Sequence, residues 1–226
     1  MGSILRIVQV GVLGVAVSSC APTPLPLHTT MDPLKVRKTS LTATLVMPES
    51  LKNATPRKEV SCAGTFDVPI GVELETGMTQ ALSQVFESVD VVEDKRLATR
   101  SDVIIEMAIP DLQAEGHCTL RRTLYATGPL YFVFAMFDPS DTYEGRVDLS
   151  GTVTGSAGQQ LLTGTFNSKT HTKSTITTDR LNRAFAVETV FRESLIDTIQ
   201  QLIRTLVKSP EFHEYADRRN AKPVQP

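Results

Sequence analysis

Residues 71–89 read GVELETGMTQALSQVFESV, and the chain continues with VDVVED at 89–94 and SDVIIEMAI at 101–109. In the first stretch apolar residues recur every three or four positions, which predicts an amphipathic helix over 72–89. The two shorter stretches are rich in valine and isoleucine and predict strands. The second of them is nearly all apolar, so we expect it to be a central strand. This order predicts helices packed on a sheet.

Extended segments flank this unit on both sides. Alternation over 41–47 predicts a strand that ends at Pro48, and a second extended run covers 60–68 before Pro69. Further on, 118–126 and 129–138 also have extended patterns. Residues 146–154 and 159–169 alternate on either side of the turn sequence GSAG, which predicts a β-hairpin.

A long helical pattern follows Asp179 and runs to Lys208, where Ser209-Pro210 ends it. The residues predicted on its apolar face are Leu181, Phe185, Phe191, Leu195, Ile199, Leu202 and Leu206. The predicted fold is therefore α+β, with a mixed, mostly antiparallel sheet packed by one short amphipathic helix and one long C-terminal helix.

The N-terminus has the pattern of an export signal. Arg6 precedes an apolar run that is too short to span a bilayer, and the run closes with Val17-Ser18-Ser19-Cys20. This ending resembles the lipobox of bacterial lipoproteins, which implies cleavage before Cys20 and a diacylglyceryl group on its sulfur. The alternatives are an ordinary secretory signal with an incidental cysteine, or a short buried helix. Ala21 in place of aspartate implies sorting to the outer membrane, with the domain facing the periplasm.

These features divide the chain into four parts. We expect a signal peptide at 1–19, a lipid-anchored, proline-rich tether at 20–39, a single periplasmic domain at 40–210 and a flexible tail at 211–226. From Cys20 onward there are 22 basic and 25 acidic residues, a net charge of about −3. A nearly neutral chain has no electrostatic reason to bind nucleic acid, so we expect no such partner.

Two cysteines remain once Cys20 is assigned to lipid. Cys62 and Cys118 could pair as a disulfide in an oxidising periplasm, or could be two separate buried thiols. His117 adjoins Cys118, but no other histidine or cysteine lies within ligand spacing. The sequence therefore predicts no metal site.

No catalytic constellation is evident. The histidines, His28, His117, His171 and His213, share no spacing that places two on one face of an element, and they are interpreted as solvated surface residues. Ser156 lies in the GSAG turn without the context of a nucleophile elbow. We expect neither catalysis nor a cofactor, with a hydrolase as the remaining enzymatic alternative.

The run PLYFVFAMFD at 129–138 concentrates aromatic side chains. It is either a core strand covered on both sides, or a surface for a partner protein or an acyl chain. The residues proposed for such contact are Tyr131, Phe132, Phe134 and Phe137.

The order of the helix at 71–89, the strands at 89–94 and 101–109 and the hairpin VDLSGTVTGSAGQQLLTGTF at 147–166 is similar to that of small periplasmic domains of outer-membrane lipoproteins. These include the YajG-type, curli-secretion, penicillin-binding-protein-activator, lipopolysaccharide-assembly and transport-auxiliary lipoproteins. The resemblance implies a lipid-anchored protein that binds partners in a trans-envelope assembly. The alternative is an accessory of lipid transport or outer-membrane assembly, with hydrophobic cargo held between sheet and long helix. The partner, the cargo and the oligomeric state stay open.

Overall fold

A computed structural model describes residues 21–117, 141–175 and 180–220, except for the side chain of Pro110. The strands are β1 (Thr23–Pro24), β2 (Thr42–Val46), β3 (Arg57–Val60), β4 (Gly64–Asp67), β5 (Ser88–Val92), β6 (Val103–His117), β7 (Asp141–Gly155), β8 (Gln160–Asn167) and β9 (His171–Thr175). The helices are α1 (Glu49–Lys52), α2 (Ile70–Ser83), α3 (Arg180–Lys208) and α4 (Pro210–Asn220), with a short 3-10 helix at Lys95–Leu97. The predicted α+β class is confirmed.

The main sheet has the strand order β5-β2-β6-β7-β8, and β9 pairs with β7 beside β8. β2 is parallel to β5 and β6, whereas β6 through β9 pair antiparallel. A small second sheet has the order β1-β4-β3. The mixed, mostly antiparallel sheet is thus confirmed, and the long β6–β7 pair forms its centre.

The long helix α3 packs on the main sheet and ends at Lys208, as the sequence predicts. Its predicted core residues from Phe191 to Leu206 are buried. Leu181 and Phe185, predicted on the same apolar face, are instead 78% and 59% exposed. The residues that α3 buries begin at Ala186, so its first turn and a half lies beyond the packed part of the helix.

The described part of the predicted tether is not an extended linker. Leu25, Leu27 and Met31 are buried in the core, and β1 pairs in parallel with β4. The backbone N–H groups of Thr29 and Met31 donate to side chains of α2, at 2.5 Å and 3.0 Å. Because the prolines alternate with apolar residues, an extended backbone points every second side chain into the core. The tether prediction is therefore wrong for residues 21–39.

The predicted flexible tail also needs correction, because most of it is helix α4. Phe212 and Tyr215 are 2% and 4% exposed. Ser209 accepts a hydrogen bond from the Phe212 N–H at 3.2 Å, and Pro210 is the first helical residue. Ser209-Pro210 ends one helix and also begins the next, since serine is a favoured N-cap and proline a favoured first residue.

Candidate functional site

Most residues singled out from the sequence lie outside the described residues. These are Cys20, Cys118, Tyr131, Phe132, Phe134 and Phe137. Cys62 is described, lies in the turn between β3 and β4 with a φ of 68°, and is not a free thiol. Its predicted pairing with Cys118 stays a prediction.

The chain enters the domain beside the start of α3. Thr23 pairs with Phe66 of β4, and its hydroxyl accepts a hydrogen bond from Arg180 Nη2 at 2.8 Å. On the other side of β4, Arg57 Nε lies 3.2 Å from the carboxylate of Asp67. We call Thr23, Arg57, Arg180 and their surroundings the Thr23 end of the domain. It is the described region nearest in sequence to Cys20.

The face of the main sheet turned away from α3 carries charges at one end. Asp111 lies opposite Asp148, and Glu115 lies opposite Glu144, across the β6–β7 pair. Like charges in directly opposite positions destabilise a sheet. We call these four residues the carboxylate face.

Neighbouring side chains compensate this charge only in part. Arg146 Nε lies 2.8 Å from Asp148 Oδ1. The Gln113 amide donates to Asp111 at 2.5 Å, and this bond is the largest influence that lowers the Asp111 pKa, ahead of the Leu112 N–H. No ion pair within the described ranges neutralises Glu115 or Glu144. Both line a shallow groove of about 190 Å³, together with Arg146.

Farther along the same face the side chains are small and polar. The Thr152 and Thr163 hydroxyls lie 3.1 Å apart across β7 and β8. A groove of about 410 Å³, which includes Ser150 and Thr165 in its lining, extends over this region. The outer face therefore offers an acidic end and a neutral, hydroxyl-rich end.

A cluster of buried polar groups connects α3 to the turn between β3 and β4 and to β7. Arg183 donates to the Cys62 carbonyl at 2.8 Å and lies 2.9 Å from the buried carboxylate of Asp141. The neighbouring Tyr143 is 1% exposed, and its hydroxyl has no hydrogen-bond partner among the described residues. Burial, and secondly the Asp141 charge, raise the Tyr143 pKa above its ordinary value. Through Arg183 this cluster ties α3 to the β3–β4 turn and to the start of β7, which is a structural role.

Two residues to which the sequence assigns no functional role, His171 as a surface histidine and Ser156 as a turn residue, have specific surroundings. His171 Nδ1 lies 3.4 Å from Glu193, and its Nε2 lies 3.6 Å from Asp197. Those carboxylates are four residues apart on α3, a spacing that could have indicated a shared face. Ser156 Oγ lies 3.2 Å from the Tyr215 hydroxyl on α4, so the turn is tied to the last helix. Sequence reasoning missed both contacts because the partners are remote in the chain.

Neither cluster has a recognisable ligand set. Among the residues that the structure describes, no three histidine, cysteine or acidic side chains are grouped so as to hold a metal ion. No helix in the same residues is long and apolar enough to cross a bilayer. Between the main sheet and α3 the space is filled by side chains, with Val190, Ile199 and Leu202 at most 2% exposed.

Comparisons with known proteins give structural likenesses only. No family model and no curated protein matches the chain. A DUF330-family protein from Xanthomonas campestris has a TM-score of 0.47 and 13% identity, covering 89% of this chain and 99% of that one. A putative neuraminyllactose-binding hemagglutinin homolog from Helicobacter pylori has a TM-score of 0.47 and 10% identity, covering 88% and 100%. Lipoprotein B from Nitrosomonas europaea has a TM-score of 0.44 and 12% identity, covering 77% and 90%. At these values the likeness says nothing about what this chain binds.

Proposed function

We propose that this chain is a bacterial outer-membrane lipoprotein, anchored through Cys20 and facing the periplasm, that acts by binding other envelope proteins rather than by catalysis. The anchor is supported by the sequence Val17-Ser18-Ser19-Cys20 after an apolar run. Two or more acyl chains give stable membrane attachment where one does not. The protein's partners would then be other components of the envelope.

The observation that carries the binding function is the carboxylate face. The direct opposition of Glu115 and Glu144 does not help the sheet to fold, since like charges across a strand pair repel. A partner that brings basic side chains would relieve this repulsion and gain charge-assisted hydrogen bonds. The partner class we propose is therefore a protein with a basic surface.

Chemical cross-linking in cells, followed by purification from membranes, tests this proposal. Wild-type protein is expected in cross-linked complexes. The double variant Glu115→Lys/Glu144→Lys is expected to lose about tenfold or more of them, because it would place like charges against a basic partner and such juxtaposition is strongly unfavourable. The matched control is Glu87→Lys/Glu93→Lys, which makes the same charge change at exposed positions elsewhere. Recovery of wild type only as a free monomer, or equal loss in both variants, would contradict the proposal.

The anchor has its own test. Cys20→Ala is expected to release the protein from the outer membrane or to mislocalise it. Unchanged membrane attachment of this variant would refute the lipoprotein assignment.

The alternative role in carrying hydrophobic cargo has less support. The space proposed for cargo, between the main sheet and α3, is occupied by the core side chains of the protein itself. The aromatic run at 129–138 lies outside the described residues. Native mass spectrometry of detergent-free protein would support a carrier if lipid remained bound.

We also propose the disulfide between Cys62 and Cys118. Gly116, two residues before Cys118, lies so close to the turn between β3 and β4 that an added Cβ would be 2.1 Å from the Ser61 carbonyl oxygen. The end of β6 therefore reaches the turn that holds Cys62. A digest without reductant is expected to yield the linked Cys62–Cys118 peptides, whereas separate peptides with free thiols would contradict the pairing.

A further inference from the structure

The distance from the proposed anchor to the folded domain is very short. Thr23, which is paired with β4 and bonded to Arg180, comes three residues after Cys20. Three extended residues reach at most about 11 Å. A headgroup layer is roughly 5–8 Å thick on each side of the hydrocarbon. The Thr23 end must therefore lie at the surface of the membrane that holds the acyl chains.

The same end exposes two large apolar side chains. Leu181 and Phe185 follow Arg180 directly on α3, one helical turn apart, and are 78% and 59% exposed. Residues spaced by four share a helix face, so both side chains project on one side.

The charges at this end are mixed, because Arg57 is ion-paired with Asp67 and Glu115 and Glu144 lie near the same end of the β6–β7 pair. Arg180 is the basic group best placed to meet a lipid phosphate. Arg180 is exposed beside Thr23, and the Arg57 side chain is 65% exposed on the far side of β4. Arginine side chains extend to lipid phosphates, and basic groups near an anionic leaflet are attracted to it.

We infer that the Thr23 end is a membrane-seating surface, in which Leu181 and Phe185 insert into the lipid interface next to the anchor and Arg180 contacts a lipid phosphate. This inference rests on the proposed attachment of lipid to Cys20. It fixes the orientation of the domain, which the anchor alone would leave free to rotate. The occupant of this apolar face is the bilayer itself.

The opposite end of the molecule provides a matched control position. Asp141, at the start of β7, is ion-paired to Arg183, so this end of the β6–β7 pair adjoins the start of α3. Leu97 precedes the other end of β6 and is 65% exposed, comparable to Phe185. The fifteen residues of β6 span fourteen residue-to-residue steps, a length of about 46 Å. Leu97 should therefore stay in water.

The chain contains no tryptophan, so a single introduced indole is a unique probe. The lipidated full-length protein would be purified as Phe185→Trp and as Leu97→Trp and reconstituted into vesicles of phosphatidylethanolamine and phosphatidylglycerol. We expect Phe185→Trp to emit at shorter wavelength and to be quenched about twofold or more by acyl-brominated lipid, since interfacial side chains lie ~5–10 Å into the headgroup and acyl boundary. We expect neither effect for Leu97→Trp. Leu181→Trp serves as a second probe if Phe185→Trp does not fold.

Mass spectrometry of the N-terminal peptide separates the two ways to fail. If Cys20 carries acyl chains but the indoles at 185 and 181 behave like that at 97, the seating surface is refuted and the lipoprotein proposal survives. If Cys20 carries no lipid, the proposed anchor fails and the seating inference falls with it. A shorter emission wavelength that depends on protein concentration, without quenching by brominated lipid, would assign the face to a second protein and overturn the inference.

Discussion

The two faces of β7 have different tasks although the same fifteen residues provide both. Burial alternates without interruption from Asp141 to Gly155. The inner face packs against α3 with side chains such as Val147, Leu149 and Val153, all fully buried. The outer face of β7 contributes Glu144 and Asp148 to the carboxylate face, and also carries Thr152. The inner face is thus fitted to the fold, while the outer face keeps charges that folding does not need.

The inner face also shows how closely α3 approaches the strand. A Cβ on Gly145 would lie 2.3 Å from Val190 Cγ1. Between the end of β8 and the start of β9, hydroxyls of α3 add hydrogen bonds to backbone carbonyls of β7: Ser194 donates to the Gly145 carbonyl and Thr198 to the Val147 carbonyl, at 3.0 Å and 2.9 Å. The Val147 carbonyl also accepts from the Ser168 N–H at 3.1 Å. The helix therefore satisfies carbonyl groups at the point where the strand pairing changes.

Leu149 and Ser150 are adjacent on β7 and point to opposite faces, so they test the comparison directly. Leu149→Ala should lower the free energy of unfolding by about 2–5 kcal/mol, because it leaves a cavity in the core. Ser150→Ala should change it by no more than about 0.5 kcal/mol. Urea denaturation of both variants measures the difference. Equal losses would show that the outer face also determines the stability of the fold.

Two glycines offer the next contrast. Gly145→Ala should cost about 1–3 kcal/mol, because the added methyl overlaps Val190 and the helix must move away. At Gly164 the nearest side-chain atom would be 3.7 Å from the new methyl, an ordinary contact, so Gly164→Ala should be nearly neutral. Thermal unfolding monitored by circular dichroism compares them. A neutral Gly145→Ala would show that α3 has room to shift.

The sequence alone predicted the helices and strands that have a regular local pattern of apolar residues. The helix predicted over 72–89 is α2, although it ends earlier, at Ser83, and Ser88 already begins strand β5. The hairpin around GSAG corresponds to β7 and β8. The N-terminal segment was misread because its prolines dominated its composition. Leu25, Leu27 and Met31 occupy alternate positions together with Thr29, and this period of two was the signal of a buried extended segment.

The candidate surfaces were harder to predict, because they depend on register and on distant partners. The opposition of Glu115 and Glu144 follows only from the pairing of β6 with β7, which no local pattern reveals. Similarly, Leu181 and Phe185 fit the helical period but lie beyond the sheet that would have covered them. Periodicity gives the apolar side of a helix and does not give the extent of its partner.

Two buried tyrosines differ in whether the hydroxyl is hydrogen-bonded, and their phenylalanine variants compare the two cases. Tyr143→Phe should be neutral or stabilising by up to about 1 kcal/mol, because the hydroxyl on the inner face is buried and no described residue hydrogen-bonds to it. Tyr215→Phe should cost about 1 kcal/mol, since that hydroxyl donates to the Asp102 carbonyl at 2.6 Å. Chemical denaturation at neutral pH compares the two variants. A large loss in Tyr143→Phe would indicate an unrecognised partner for that hydroxyl.

Alkaline pH gives Tyr143 a second signature. Because its pKa is raised in the folded protein, the hydroxyl stays protonated where the unfolded chain ionises. The stability linked to this group is fully present below the ordinary pKa near 10 and is lost as pH rises through the folded value. The wild type should therefore lose more stability than Tyr143→Phe between about pH 9 and about pH 11, a range that brackets the ordinary tyrosine pKa of about 10. Parallel pH curves would contradict the raised pKa.

The smallest expected effect is on the outer face. Glu144→Gln removes the repulsion from Glu115 and should raise the free energy of unfolding by about 0.2–1 kcal/mol at low salt. Added salt should shrink this gain, because it screens exposed charges. Glu106→Gln, on the same face, instead loses an ion pair with Lys95 and should lower stability slightly or not at all. Urea midpoints at low and high salt distinguish the two signs. If Glu144→Gln were destabilising, the carboxylate would contribute to folding. The claim that the outer face of β7 is not needed for stability would then be wrong at that position.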